Sequence, residues 1–278
     1  TNHSIAAWSP WKPKTVELFD QMVSQGACKP ALLVLPDSIN RWGGSQLVDS
    51  EGTGRYKTSL ADEIIPFDDY QFQTIPEREA RAIVGRSSGG FGALRLGMDR
   101  PDRVSVIGSH AGDAGFEVSM RPMLTSAAIA FDQAGGVRAF AEEVPKQGPN
   151  GASQFDAIFV LAAAAAYSPS PSEFPFAELP VDPGTGELRS SSWVRWLEHD
   201  PLRRIDASTA ALQRMSLIYV DAGSRDEHGL HFAARMLAKA LSERELPVQY
   251  EEYEGGHRGT SWRYEVSLPQ IVEALRGS

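Results

Sequence analysis

The feature that most narrows the folds open to this chain is the stretch Arg81 to Leu94, RAIVGRSSGGFGAL. A short apolar run, Ala82 to Val84, leads into Gly85-Arg86-Ser87-Ser88-Gly89, which fits G-x-S-x-G, and a helix-forming segment from Phe91 to Met98 follows at once. Strand, sharp turn and helix in that order is the context in which this motif lifts a serine hydroxyl clear of a sheet. Gly85 and Gly89 are read as positions where the strained turn tolerates no bulk. A helix starting near Gly89 would set backbone N–H groups and the positive end of its dipole beside Ser87, which suits an oxyanion. The same five residues could also form a plain Gly/Ser-rich turn, so the reading depends on what lies downstream.

An acid and then a histidine, each just past a later strand, are what the serine requires in this chain order. Met215 to Val220 is strand-like and runs into Asp221-Ala222-Gly223-Ser224-Arg225-Asp226. Val248 to Tyr253 is another such run and is followed by Glu254-Gly255-Gly256-His257. Ser87, Asp226 and His257 therefore stand in the required order. His257 is the candidate base and Asp226 the group that fixes its tautomer. Asp221 and Glu227 compete with Asp226; Asp221 belongs to the strand end and Glu227 is expected to begin the next helix. Bland readings stay open for each: Asp226 as a helix N-cap and His257 as a polar loop residue.

Around these positions the chain alternates strand and helix at short intervals, the signature of an α/β fold with a mainly parallel sheet flanked by helices. Thr15 to Gln25 has helical periodicity and stops at Gly26, and Ser59 to Tyr70 is a second helix. Ala31 to Leu35 is wholly apolar and of strand length, which predicts a central parallel strand. Val104 to Gly108 is the strand after the nucleophile helix, and His110 and Asp113 beyond it could line a pocket or act as a second polar pair. A structural role is preferred for His110. Helices from about Glu227 to Glu245 and Ser261 to Leu275 complete the pattern. Thr1 to Pro13, with Trp8 and Trp11, reads as a loop packing onto the domain.

The alternation breaks between Ala114 and about Pro201, and residues 114–200 are read as a lid inserted into a core formed by 1–113 and 201–278. It contains an Ala-rich helix, Phe155 to Tyr167, and a proline-rich stretch to Phe176 that regular structure cannot follow. Phe174, Phe176, Trp193 and Trp196 could line an acyl pocket or simply pack on the core.

Composition removes other classes. A net charge of −9 without a basic cluster argues against a nucleic-acid or anionic-membrane partner. The single cysteine, Cys28, excludes an internal disulfide framework and fits a reducing cytoplasm, the expected compartment, without conflicting with export. His228 and His231 lie three apart on an expected helix, but no third ligand accompanies them, so neither a metal nor a cofactor is expected.

Taken together, Gly85 to Leu94, Tyr219 to Glu227 and Gly255-Gly256-His257 resemble the esterase D and enterochelin-esterase branch of the α/β-hydrolases. Leu35-Pro36-Asp37, Gly43 to Gln46 and Thr53 to Tyr56 resemble that group too. The resemblance implies an α/β-hydrolase fold and a serine esterase acting on a small-molecule ester, with Ser87 as nucleophile, Asp226 as acid, His257 as base and the Ser88 amide as one oxyanion donor. Acyl transfer by the same triad, or a non-catalytic binding module, are the alternatives. In this family a strand precedes the helix matching Thr15 to Gln25, and the turn after it supplies the second oxyanion donor. Thr1-Asn2-His3-Ser4 would align just past that turn. An upstream polypeptide fragment, with Thr1 a processing site, or a homo-oligomer is the corresponding expectation; otherwise Asp37 to Asn40 or the N-terminal loop supplies the donor.

Overall fold

The computed structural model describes residues 15–172 and 174–276. The expected Trp8 and Trp11 loop and the Thr1 to Ser4 alignment lie outside these residues. Helix α1 (Thr15–Ser24) comes first. A small antiparallel pair follows, β1 (Asp49–Ser50) and β2 (Gly54–Arg55). Next is a continuous helical run: α2 (Tyr56–Ser59), a π turn (Leu60–Ile64) and α3 (Ile65–Gln71). Pro66 explains the widened turn, since it has no N–H to donate and its ring crowds the carbonyl four residues back.

The sheet begins with β3 (Ala82–Arg86), and α4 (Ser88–Asp99) and β4 (Val106–His110) follow it. Five helices come next: α5 (Phe116–Ser119), α6 (Arg121–Gln133), α7 (Val137–Gln147), α8 (Ala152–Tyr167) and α9 (Ser190–Leu197). The alternation then resumes with α10 (Pro201–Leu212), β5 (Leu217–Gly223), α11 (Leu230–Ser242), β6 (Val248–Tyr253) and α12 (Arg263–Glu273).

Strands β3, β4, β5 and β6 form one parallel sheet in that order. The register sets Arg86 beside His110, His110 beside Asp221 and Asp221 beside Glu251, in one row at the carboxyl ends. Layers cover both faces, as a parallel sheet demands. On one side Leu94 and Met98 of α4, Ile205 and Leu212 of α10, and Ala234, Leu237 and Leu241 of α11 close over Ile107, Ile218 and Val220. On the other, Ile271 of α12 packs on Val106 and Tyr219, and Leu268 and Val272 meet Phe19 and Met22 of α1. Cys28 is a free thiol buried beside them.

The segment expected to break the alternation is helical, with an apolar core of its own around Phe131, Phe140, Ala157, Leu161 and Trp196. Phe91 of α4 joins it to the sheet domain through the rings of Phe116, 5.9 Å away, and Tyr167, 5.7 Å away. The proline-rich stretch beyond α8 carries only an isolated bridge, Pro169 to Ala177. No helix among the described residues is long and apolar enough to cross a membrane.

One expectation fails. Ala31 to Leu35 is not a strand: no ladder pairs it, and Leu32, Leu33 and Val34 are 59%, 39% and 45% exposed. Its length and apolarity suit a buried strand, but pairing decides the matter, and the run is bracketed by Pro30 and Pro36, which cannot donate to a ladder. Among the described residues β3 stands at one edge of the sheet.

Candidate active site

Ser87 occupies the single residue between β3 and α4 with φ 57° and ψ −125°, a conformation L-residues rarely adopt and one typical of strained functional turns. Its amide donates to the carbonyl of His110 (2.9 Å) and its own carbonyl accepts from the amide of Phe91 (2.9 Å), so β4 and α4 hold the turn from both sides. Gly85 is sterically required: a Cβ there would lie 2.2 Å from the carbonyl oxygen of Gly89. Gly89 differs from expectation, since a Cβ there would meet open space. The amide of Ser88 belongs to the first turn of α4, where N–H groups lack intrahelical acceptors.

Asp226 and His257 meet. Asp226 Oδ2 lies 2.8 Å from His257 Nδ1, and the carboxylate is wholly buried. Asp226 Oδ1 accepts from the amides of His228 (2.9 Å) and Leu230 (3.4 Å), so one carboxylate ties the turn into α11 and holds the imidazole, while the N-cap position itself is Gly229 and not Asp226. Burial alone would raise its pKa, yet the hydrogen bond and charge of His257 and the two amides outweigh burial and hold the carboxyl below its ordinary value. The turn that carries Ser87 is tied to the His257 loop through a chain neighbour, because the guanidinium of Arg86 donates to the His257 carbonyl. Among the described residues no hydrogen bond joins the Ser87 hydroxyl to the imidazole; such bonds commonly tighten only when substrate is held.

The competing acids have other tasks. Asp221 Oδ1 is 2.9 Å from His110 Nδ1, and its Oδ2 accepts from Arg263 Nε at 2.8 Å. His110 Nε2 sits 3.1 Å from the Ser267 hydroxyl, so both ring nitrogens are occupied inside the sheet–α12 interface. His110 thus has the structural role expected, but its partner is Asp221 and not Asp113. The Asp113 carboxylate instead accepts from the Ser88 hydroxyl at 3.2 Å. Burial pushes its pKa up to about 6, against the attraction of His257 and the Ser88 hydrogen bond and with the repulsion of Asp226. Glu227 lies in the turn before α11, which starts at Leu230 and not at Glu227, and it accepts from the backbone amide of His257 at 2.6 Å.

Around His257, the His228 ring stands edge-on at 5.0 Å, and Phe155 of α8 lies 6.2 Å from His228. Burial, followed by the charge of His257, lowers the pKa of His228. His231 is buried against Phe232, and among the described residues no cluster of three His, Cys, Asp or Glu side chains could hold a metal ion. Of the aromatics considered for a pocket, Trp193 and Trp196 are core: Trp196 is fully buried and donates from Nε1 to the Ser168 hydroxyl at 3.0 Å. Phe174 packs edge-on to Trp42 beneath Arg138, and Phe176 beside it is exposed.

Sequence reasoning did not find the grip of Arg86 on His257 or the Ser88–Asp113 bond. The first falls on the unspecified position of the G-x-S-x-G pattern, where residue type carries no signal.

Comparison with known proteins gives the family and the fold. Residues 14–275 match the family model described as "Esterase: Putative esterase". Over 89 residues the chain is 30% identical to the Mycobacterium tuberculosis protein named Esterase Rv1288, an alignment covering 32% of this chain and 20% of that protein. The chain therefore matches about a fifth of the length of its curated relatives. A solved ferulic acid esterase superposes with a TM-score of 0.58 at 17% identity, covering 96% of this chain and 80% of that one. An S-formylglutathione hydrolase from Staphylococcus aureus gives 0.51 at 15% identity, over 86% and 70%. At these identities the likeness is one of fold, and it bears out the α/β-hydrolase architecture.

Proposed function

The chain belongs to the esterase family that its residues 14–275 match, and from that premise we propose that it is a serine carboxylesterase cleaving a small-molecule ester through an acyl-enzyme on Ser87. The observation that carries the proposal is the 2.8 Å contact between Asp226 Oδ2 and His257 Nδ1 beside the strained Ser87 turn.

In this reading His257 Nε2 takes the Ser87 proton as Oγ attacks the ester carbonyl, and Asp226 fixes the tautomer and stabilises the imidazolium. The tetrahedral oxyanion is met by the Ser88 amide at the N-terminus of α4, where the helix dipole favours negative charge. Collapse expels the alcohol, which carries the proton from His257. Water, deprotonated by the same imidazole, then releases the acid and restores Ser87. Residues 114–200 act as a lid over this chemistry; the ring contacts from Phe155 through His228 to His257 support this role for α8.

The test is labelling by a fluorophosphonate probe together with hydrolysis of p-nitrophenyl esters of graded chain length. Both are expected to vanish in Ser87→Ala, and retention of either would overturn the assignment.

A further inference from the structure

His257 is held by more than its ring. Its amide donates to Glu227 Oε2 at 2.6 Å, and its carbonyl accepts from the Arg86 guanidinium. Arg86 immediately precedes Ser87, and Glu227 immediately follows Asp226. Each of the two residues proposed to work with His257 thus has a chain neighbour that grips its backbone, one on the donor side and one on the acceptor side.

The fit around this grip is close. A Cβ at Gly256 would lie 2.9 Å from Glu227 Oε1, so the residue before His257 must be small for the carboxylate to reach the amide. The turn is tied further by the Arg225 amide, which donates to the Gly255 carbonyl at 2.8 Å. At Gly223, a Cβ would fall 2.5 Å from the Gly255 carbonyl oxygen, so the end of β5 and the His257 turn are in direct contact. The His257 amide also holds the Glu227 carboxyl below its ordinary value.

We propose that Arg86 and Glu227 are positioning residues for the base: together they fix the His257 backbone so that its imidazole stands between Asp226 and Ser87. This rests on the serine-esterase reading above. A ring held only by its Nδ1 contact could pivot about that hydrogen bond, whereas a backbone anchored at both N–H and C=O cannot. Misplacement by about 1 Å at such a base costs up to roughly a hundredfold in rate.

The experiment compares Arg86→Met, Arg86→Lys, Glu227→Ala and Glu227→Gln with wild type and Ser87→Ala. It reads kcat and KM on a p-nitrophenyl ester, the rate of fluorophosphonate labelling, and Tm. Arg86→Met and Glu227→Ala are expected to lower kcat and the labelling rate together, by roughly tenfold to a hundredfold, with KM changed less than about twofold because the grip touches His257 and not the substrate. Lysine still donates to the carbonyl and glutamine still accepts from the amide, so the conservative variants recover most of that loss. Wild-type kcat in Arg86→Met and Glu227→Ala would overturn the proposal, as would a loss that follows Tm and is not recovered by the conservative partner. Glu227 is exposed, so its two variants decide the matter alone if Arg86→Met does not fold. Should Ser87→Ala keep the label, the esterase reading falls and this proposal with it; should it lose the label while Arg86→Met and Glu227→Ala keep the wild-type rate, only the proposal falls.

Discussion

The carboxylate of Asp226 divides its two oxygens between two tasks: Oδ2 faces His257 Nδ1 at 2.8 Å, and Oδ1 receives the amides of His228 and Leu230 in the turn that leads into α11. The two tasks separate by substitution. Asp226→Asn keeps an oxygen for the amides but offers the imidazole no charge, and is expected to lose about 10³- to 10⁴-fold in kcat with little change in Tm. Asp226→Ala removes the acceptor of the two turn amides as well and costs about 1 kcal/mol more in stability. Denaturant melts beside steady-state kinetics check this; equal kcat in Asp226→Asn and wild type would remove Asp226 from the mechanism.

Asp221 should behave in the opposite way. It is buried among His110, Arg263 and the Tyr219 hydroxyl, so Asp221→Ala takes the acceptor from His110 Nδ1 and leaves Arg263 with only the half-buried Glu251 carboxylate, 2.6 Å away, as its counter-charge. We expect a loss of about 2–3 kcal/mol in stability. Any molecules that remain folded should turn over ester at close to the wild-type rate per labelled site. A rate loss per labelled site as large as that of Asp226→Asn would show that the acid had been misassigned.

The two glycines flanking the motif are not equivalent. Gly85→Ala would push a methyl group into the Gly89 carbonyl and is expected to destabilise by about 3 kcal/mol or more. Gly89→Ala points into open space on a helical backbone and should leave stability unchanged or improved by up to about 1 kcal/mol. Thermal melts of the two variants decide, and a reversed order would contradict the turn geometry.

Asp113 gives a pH signature. Its carboxyl titrates at about 6 in the folded protein because it is buried, against about 3.9 for an unfolded aspartate. Between those values the native state holds a proton that the unfolded chain has released, so this group makes stability fall as pH rises through the window, by about 3 kcal/mol in all. The groups facing it are Ser88, His257, Asp226 and Tyr167. Asp113→Asn should therefore gain on wild type at pH 8 relative to pH 4 in urea-melt stability. Parallel curves across that range would contradict a buried, reluctant carboxyl at this position.

Much of this architecture is legible in the chain because local signals agree with tertiary demands. The apolar runs ending at Arg86, His110, Gly223 and Tyr253 become the four strands of the sheet, and the order Ser87, Asp226, His257 survives as position at their carboxyl ends. Ala31 to Leu35 misleads because apolarity and length say that a segment resembles a buried strand, not that a partner is available to pair it. Trp193 and Trp196 mark a different limit: the sequence leaves open whether they face a pocket or a core, and only the tertiary packing decides for the core. The pairing of His110 with Asp221 joins residues 111 apart, and only strand register reveals it.

Phe91 carries a consequence of its own. Its amide fastens the carbonyl of Ser87, and its ring packs against both Phe116 and Tyr167 of the helical segment, which also stack on each other. One residue therefore touches both the turn of the attacking serine and the helical segment proposed to cover it. Remodelling the helical segment to accept new esters has wide latitude elsewhere, but a change that jostles that aromatic trio would reach the attacking serine as directly as a change in the motif itself.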